Sequence, residues 1–408
     1  MEIHQDVVII GAGPVGLSLA CALADAGFSV TVLERQPRAA LANPAPDGRD
    51  IALTHQSAGI LQALGLWQRF PAEEVATIRE ARVLNGESPQ FLRFNAQRTG
   101  HPSLGYLVSN HVVRRAAFEA AAARSPVTLL DSVRIERVIT TGDAAEVLLD
   151  GGRVLSARLV VAADSRISET RRQMGIGAEL RDFGRDVIVC RLAHDAPSDG
   201  VAYECFGYGR TLAILPLNPR QVSAVVTIPT DRSEALMRLP AQDYAAMVRD
   251  QFGARLGEMR LAGDRHVYPL VAVYARRFAA HRFALAGDAA VGMHPVTAHG
   301  FNLGLYGVDA LTRALASARA TRGDIGSLAT LSRYETEHRR ATRPLYLGTN
   351  ALVGLFTDDR GPARAARAAV ISIAERLLPL KVAITRRLTS ASASPARLPR
   401  ARVMNPFA

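Results

Sequence analysis

Lysine is nearly missing from this chain of 408 residues: Lys381 is the only one, so almost all of the 49 basic side chains are arginine. Together with the abundant alanine, that bias reads as genome composition as much as function. Cysteine is scarce too. Cys21, Cys190 and Cys205 are too few and too scattered for a disulfide framework or a zinc site, and they suit a reducing cytoplasm as small buried apolar side chains. No run reaches the ~18 apolar residues of a membrane span. The amino terminus starts directly on a strand, which leaves no room for a signal peptide. There is no internal repeat, no Ser-His-Asp triad and no metal-ligating cluster. The net charge of +11 suits an anionic small molecule or an anionic membrane surface. Without a helix-turn-helix pattern or an aromatic-basic platform, it does not point to nucleic acid.

What is present is an ordinary globular composition, 48% hydrophobic and 21% charged, with length for two interlocked domains. The first 34 residues organise it. Asp6–Ile10 predicts a strand, and Gly11-Ala12-Gly13-Pro14-Val15-Gly16 turns into an apolar helix over 17–26. Gly27 stops that helix, and Val30–Leu33 is a second strand ending at Glu34. This is a dinucleotide fingerprint in its required context. Gly11 permits the tight turn, Gly13 lets a pyrophosphate approach the backbone, and Gly16 lets helix and strand pack closely. The helix start offers free N–H groups to phosphates, and Glu34 can accept ribose hydroxyls.

Further along, 37–55 reads as a loop ending in Asp47-Gly48-Arg49-Asp50-Ile51-Ala52-Leu53, followed by a helix over 56–66. Short strands are expected in 78–94, a helix over 110–124, and strands over 127–130, 133–139 and 146–149 before a hairpin turn at Asp150-Gly151-Gly152. The apolar run 158–163 predicts a buried strand that ends at Asp164. From 183 to 228 four strand-like runs, 186–192, 201–206, 211–215 and 222–228, predict an inserted antiparallel sheet. A helix over 233–252 and a strand over 265–274 follow. Phe283–Leu285 leads to Gly287-Asp288, a helix starts at Gly300, and the chain is helical from 327.

Two later segments thus repeat the first pattern: an apolar strand, an acid, then a turn into a helix. Ligands of open α/β sheets bind at the carboxyl ends of the strands, which puts Asp164 and Asp288 on the edge that carries Gly11–Gly16. Each acid by itself is also explained as a helix cap; three in one chain point to a shared ligand. Gly11–Gly16 with Glu34, Ala163-Asp164-Ser165-Arg166-Ile167-Ser168-Glu169-Thr170-Arg171-Arg172, and Leu285-Ala286-Gly287-Asp288-Ala289-Ala290 resemble the three signatures of class A flavoprotein monooxygenases. His294 to Leu305, Arg49–Leu53 and the stretch from Arg339 to Lys381 resemble the branch that hydroxylates ubiquinone precursors. Thr297-Ala298-His299-Gly300 looks most like its broad-specificity members. The similarity covers nearly the whole chain. It departs from the family pattern at Ser165, where glycine is usual, at Ala298-His299 in place of Gly-Gln, and at Tyr306 in place of arginine.

The resemblance implies an α/β fold: a Rossmann-like FAD-binding domain of the p-hydroxybenzoate-hydroxylase type, an inserted antiparallel-sheet substrate domain, and carboxyl-terminal helices. The boundaries are 1–77, 98–180 and 276–325 for FAD binding, 78–97 and 181–275 for the substrate domain, 326–390 for helices and 391–408 for a disordered tail. It implies FAD as cofactor, NAD(P)H and O₂ as co-substrates, and a polyprenyl phenol or quinone precursor as substrate, oxygenated by a C4a-hydroperoxyflavin. The cofactor carries the chemistry, and the protein supplies position and exclusion of water. Residues placed at the cofactor are Gly11, Gly13, Gly16, Glu34, Arg35, Arg49, Arg114, Asp164, Gly287, Asp288, Pro295, Gly300, Phe301 and Asn302. His294, Pro295 and His299 fall beside the reacting ring, where either histidine is a candidate base or a hydrogen-bonded spacer. Arg114 serves equally as a solvated helix residue.

At the carboxyl end, Val370, Ile371, Ile373, Leu377 and Leu378 interleave with Arg364, Arg367, Arg376 and Lys381. A basic amphipathic stretch of this kind lies on an anionic bilayer or packs against another surface. A membrane-borne substrate favours peripheral attachment to the cytoplasmic face of the inner membrane, beside other ubiquinone-biosynthesis proteins. A flavin halogenase needs an amino-terminal lysine and a Trp-x-Trp motif, and Trp67 is the only tryptophan. A prenyl-chain reductase, and a non-catalytic flavin-binding member of a complex, remain as alternatives.

Overall fold

The computed structural model describes residues 5–86, 91–97, 100–207, 210–294 and 299–357, with the short pieces 360–362, 366–367 and 369–370. Its first sheet is built on the strand Gln5–Ile10, whose Val7, Val8 and Ile9 are fully buried. It pairs in parallel with Val30–Leu33 on one side and Val154–Ala162 on the other. Val127–Leu130 and Phe283–Leu285 extend the parallel order outward. The continuous apolar runs suit strands covered on both faces. Ala145–Leu149 returns antiparallel onto Val154–Ala162 through the turn at Asp150–Gly152. The helices Pro14–Asp25, Asn110–Ala122 and Gly300–Ala320 pack around this sheet.

A second sheet is almost wholly antiparallel. Ala178–His194 lies between His266–Ala275 and Gln221–Pro229, followed outward by Thr211–Asn218, Val201–Phe206, Glu80–Asn85 and Phe91–Asn95. Val201–Phe206 and Glu80–Asn85 form its parallel pair. Val291–Gly292 joins the far edge, so the chain passes from the last parallel strand into the second sheet within six residues. A small sheet of Asp50–Leu53, Gly105–Ser109 and Val75–Ile78 stands beside them.

Several expectations need correction. The stretch 37–55 is not all loop: it holds the helix Arg38–Ala42 and the strand Asp50–Leu53, because Gly105–Ser109 supplies a distant pairing partner. The helix expected over 233–252 is two, Ser233–Arg238 and Ala241–Gln251, with Pro240 at the break. The strand expected over 186–192 runs from Ala178 to His194, with a shift of register between Asp182 and Asp186. Asp288 does not end a strand; it sits in a single 3₁₀ turn, Gly287–Ala289, beyond Leu285. The helix Leu328–Thr357 meets the expectation of helix from 327. Most of the basic amphipathic stretch, and the tail 391–408, lie outside the described residues.

Candidate active site

The glycine turn is shaped by close approach. Gly11 has φ +107°, and a Cβ there would stand 2.5 Å from the Ala163 carbonyl oxygen and 2.9 Å from the Asp164 Cα. A Cβ on Gly16 would run into the Gly11 carbonyl oxygen. Gly13 differs: a Cβ there meets nothing within 4 Å, so the turn faces open space at that point. Gly13 caps the helix Pro14–Asp25 without a side-chain acceptor, leaving the first N–H groups to whatever occupies that space. Glu34 Oε2 accepts from the Ala12 N–H at 2.8 Å and Oε1 from the Gln36 N–H at 2.9 Å. Each oxygen keeps a second lone pair for a hydroxyl. Arg114 reaches Gln36 Oε1 at 3.4 Å, beside Glu34, while Arg35 is exposed.

The other signatures meet this turn. Ser168 caps the helix Glu169–Gln173 by accepting from the Arg171 N–H. Arg171, 2% exposed, sends Nη1 to the Ala289 carbonyl at 2.8 Å and so ties the second signature to the third. Asp164 Oδ2 accepts from the Thr170 N–H at 3.4 Å, and its Oδ1 is buried with no hydrogen-bond partner among the described residues. Asp288 receives Arg166, which also donates to the Val271 carbonyl in the second sheet. Val15 is wedged between glycines: a Cβ on Gly287 would lie 3.2 Å from it and one on Gly304 2.7 Å. All three segments and the start of Gly300–Ala320 thus converge, and a buried unpaired carboxylate oxygen, an uncapped helix start and open space over Gly13 fit a dinucleotide.

Arg49 is brought to the same region by the strand Asp50–Leu53. Its Nη2 pairs with Asp47 Oδ2 at 2.6 Å, and its guanidinium lies 5.2 Å from the centre of the Tyr268 ring. Burial would depress its pKa, but the Asp47 hydrogen bond and charge, with Tyr268 and Asp288, hold it above the ordinary value. Sequence reasoning missed Tyr268, whose hydroxyl donates to the Asp47 carbonyl at 2.7 Å, because only strand pairing brings residues so far apart together. It also missed Arg166 as the partner of Asp288, although Arg166 stands inside the second signature.

His294 is buried and set edge-on to Phe183, ring centres 5.0 Å apart. Burial first, then Arg166, Arg181 and Arg185, push its pKa down to about 4. It is therefore neutral near pH 7 and a weak proton acceptor. His299, also buried, precedes Gly300 at the helix start. Asn302 accepts from the Thr54 N–H and donates to the Ala52 carbonyl, which fixes the Asp50–Leu53 strand against the helix. Phe301 packs on the main core. Pro295 lies outside the described residues.

Residues 4–346 match a family model described as FAD binding domain. The chain is 45% identical to ubiquinone hydroxylase UbiM of Neisseria meningitidis, over 95% of this chain and 85% of that protein. It is 37% identical to ubiquinone hydroxylase UbiL of Rhodospirillum rubrum, over 92% and 87%. Among solved structures, p-nitrophenol 4-monooxygenase PnpA of Pseudomonas putida superposes with a TM-score of 0.77 at 22% identity, over 96% of this chain and 99% of that one.

Proposed function

Because the chain belongs to the FAD-dependent hydroxylases of ubiquinone biosynthesis, we propose a specific division of labour among its residues in adding a hydroxyl group to the ring of a polyprenyl phenol or quinone precursor. The protein is a flavin-dependent aromatic monooxygenase with NAD(P)H as co-substrate. Bound FAD, once reduced, supplies the electrons that activate O₂ and transfer one oxygen atom to the ring. In this reading 1–77, 98–180 and 276–325 form the flavin part, and 78–97 with 181–275 the substrate part. Gly11 and Gly16 let the backbone close tightly at the turn, Gly13 leaves room for the pyrophosphate against the helix start, and Glu34 accepts the ribose hydroxyls. Arg35, Arg49 and Arg114 supply positive charge beside the phosphates; Asp164, Gly287 and Asp288 border the ribityl chain. The backbone N–H groups at Gly300–Asn302 stabilise negative charge on the reduced ring.

Val187, Val189 and Leu270, packed with Phe183 and Tyr268, give the second sheet an apolar patch beside these loops. Such a patch excludes water and takes a prenylated ring. A neutral His294 acts there by position and hydrogen bonding, which leaves His299 as the candidate base. The single observation that carries this reading is the convergence of Gly11, Asp164, Val15, Gly287 and Gly304 at one edge. No helix of the described residues is long and apolar enough to cross a membrane. We place the protein in the cytoplasm, held peripherally on the inner membrane by its basic carboxyl-terminal stretch, where it meets the substrate and other proteins of the pathway. The test is product analysis in cells lacking their own quinone hydroxylases: a product heavier by one oxygen supports the reading. Oxidation of NAD(P)H without oxygen uptake would instead mark a reductase.

A further inference from the structure

The second sheet presents two faces. Tyr203, Cys205 and Ile214 point to one, where Tyr244, Val248 and Phe252 of the following helical segment cover them. Alternation along the strand sends Glu204 to the other face. The strand register places Glu204 opposite Val83 on one side and Ala213 on the other, then Val225 and Val189 beyond. A single carboxyl group therefore stands in a row that is otherwise apolar from Leu92 to Val189 and ends at His266 on the far strand.

This face looks toward the cofactor loops. One row along, Phe206, Thr211, Thr227, Val187 and Tyr268 line up across the strands. Tyr268 is the residue that carries Arg49 and the Asp47 carbonyl. At the other end, Phe206 meets Phe356 of the long carboxyl-terminal helix, ring centres 4.3 Å apart. Glu204 thus lies between the flavin-side patch and the cluster that closes against the helix.

No hydrogen bond or ion pair reaches Glu204 from the described residues. Its surroundings are deep enough that burial alone raises its pKa to about 8, yet the residue keeps part of its surface accessible. Depth combined with accessibility is what the wall of a cleft has. An unpaired carboxyl in an apolar row costs stability, so a structural role does not explain it. Polyprenyl phenols are apolar except for their ring oxygens, and one polar group in an apolar cleft is what orients such a ligand.

We propose that Glu204 holds the ring hydroxyl of the substrate by a hydrogen bond and so selects rings that carry one. The assignment rests on the hydroxylase reading above. It makes Glu204 a specificity-determining residue, set apart from the flavin-binding signatures. The proton stays with the pair, and no bond is made or broken at Glu204.

The test uses the purified holoenzyme and two probes, a short-chain prenylated phenol and the same compound without its hydroxyl. Dissociation constants are read from the change in flavin absorbance for wild type, Glu204→Gln, Glu204→Leu and Glu204→Ala. Wild type should prefer the phenol by about tenfold or more, the usual effect of one buried hydrogen bond. Leucine and alanine should abolish that preference by weakening the phenol alone, with flavin content unchanged; glutamine, which still donates and accepts, should keep much of it. Leucine should not lower the melting temperature, since it continues the apolar row. A wild-type preference that persists in both the leucine and alanine variants overturns the assignment and leaves the hydroxylase reading standing. Wild-type protein that binds neither probe overturns both.

Discussion

Arg166 gives two N–H groups to one oxygen of Asp288, from Nε at 3.2 Å and Nη2 at 3.0 Å to Oδ2. The pair is partly exposed, with 31% and 42% of the side chains accessible, so its worth lies in position more than in ion-pair energy. It locks the third signature to the second and, through the Val271 carbonyl, to the second sheet. Asp288→Ala should purify with flavin content well below wild type, measured by the ratio of visible to ultraviolet absorbance. Arg166→Ala should lose less. Full flavin content in Asp288→Ala would reduce Asp288 to a holder of Arg166.

The three glycines of the turn should separate by what an added methyl meets. Gly11→Ala combines a positive φ with contact against Ala163 and Asp164, and should destabilise the flavin-free protein by about 2 kcal/mol or more. Gly16→Ala should behave likewise. Gly13→Ala meets no protein atom within 4 Å and should leave flavin-free stability within about 0.5 kcal/mol. Its FAD affinity should nevertheless fall at least about tenfold, because the methyl enters the ligand's space. Thermal melts without FAD, paired with flavin titrations, check both halves.

Stability should fall in mild acid because of His294. Its folded pKa, about 4, lies below the ordinary 6.5, so above pH 6.5 both states are neutral and the full contribution is present. Between 6.5 and 4 the unfolded chain takes a proton that the native one refuses, and up to roughly 3 kcal/mol is lost as pH falls. Arg166, Arg181 and Arg185 surround the site and disfavour the imidazolium. His294→Gln should flatten the melting temperature across that window. An unchanged acid slope would assign it to other groups.

A chain truncated after Val370 should retain FAD but float less well with anionic liposomes than the full chain, if the basic stretch beyond it is the anchor. The cut belongs there because Arg367 is buried and donates Nη1 to the Phe356 carbonyl at 2.9 Å, beside the Phe206 contact. Arg367→Ala should cost about 1–3 kcal/mol of stability, as a buried carbonyl loses a donor. Equal flotation of both chains would place the anchor elsewhere.

The sequence by itself determined the parallel sheet and the turn on it. The local signals there agree: apolar runs for strands buried on both faces, glycines where backbone must approach backbone, and an acid at the end of Val30–Leu33. The inserted sheet was legible as alternating runs, though not its order, since strand pairing is set by contacts far apart in the chain. Tertiary structure alone decided that Asp50–Leu53 is a strand, that Arg49 lies over Tyr268, and that Arg166 is the partner of Asp288. It also decided which way Glu204 points: strand alternation allows either face until a helix covers the opposite one. His294 shows the same division. The sequence offered His294 as a candidate imidazole, but its charge depends on burial and on three arginines that only the fold assembles around it.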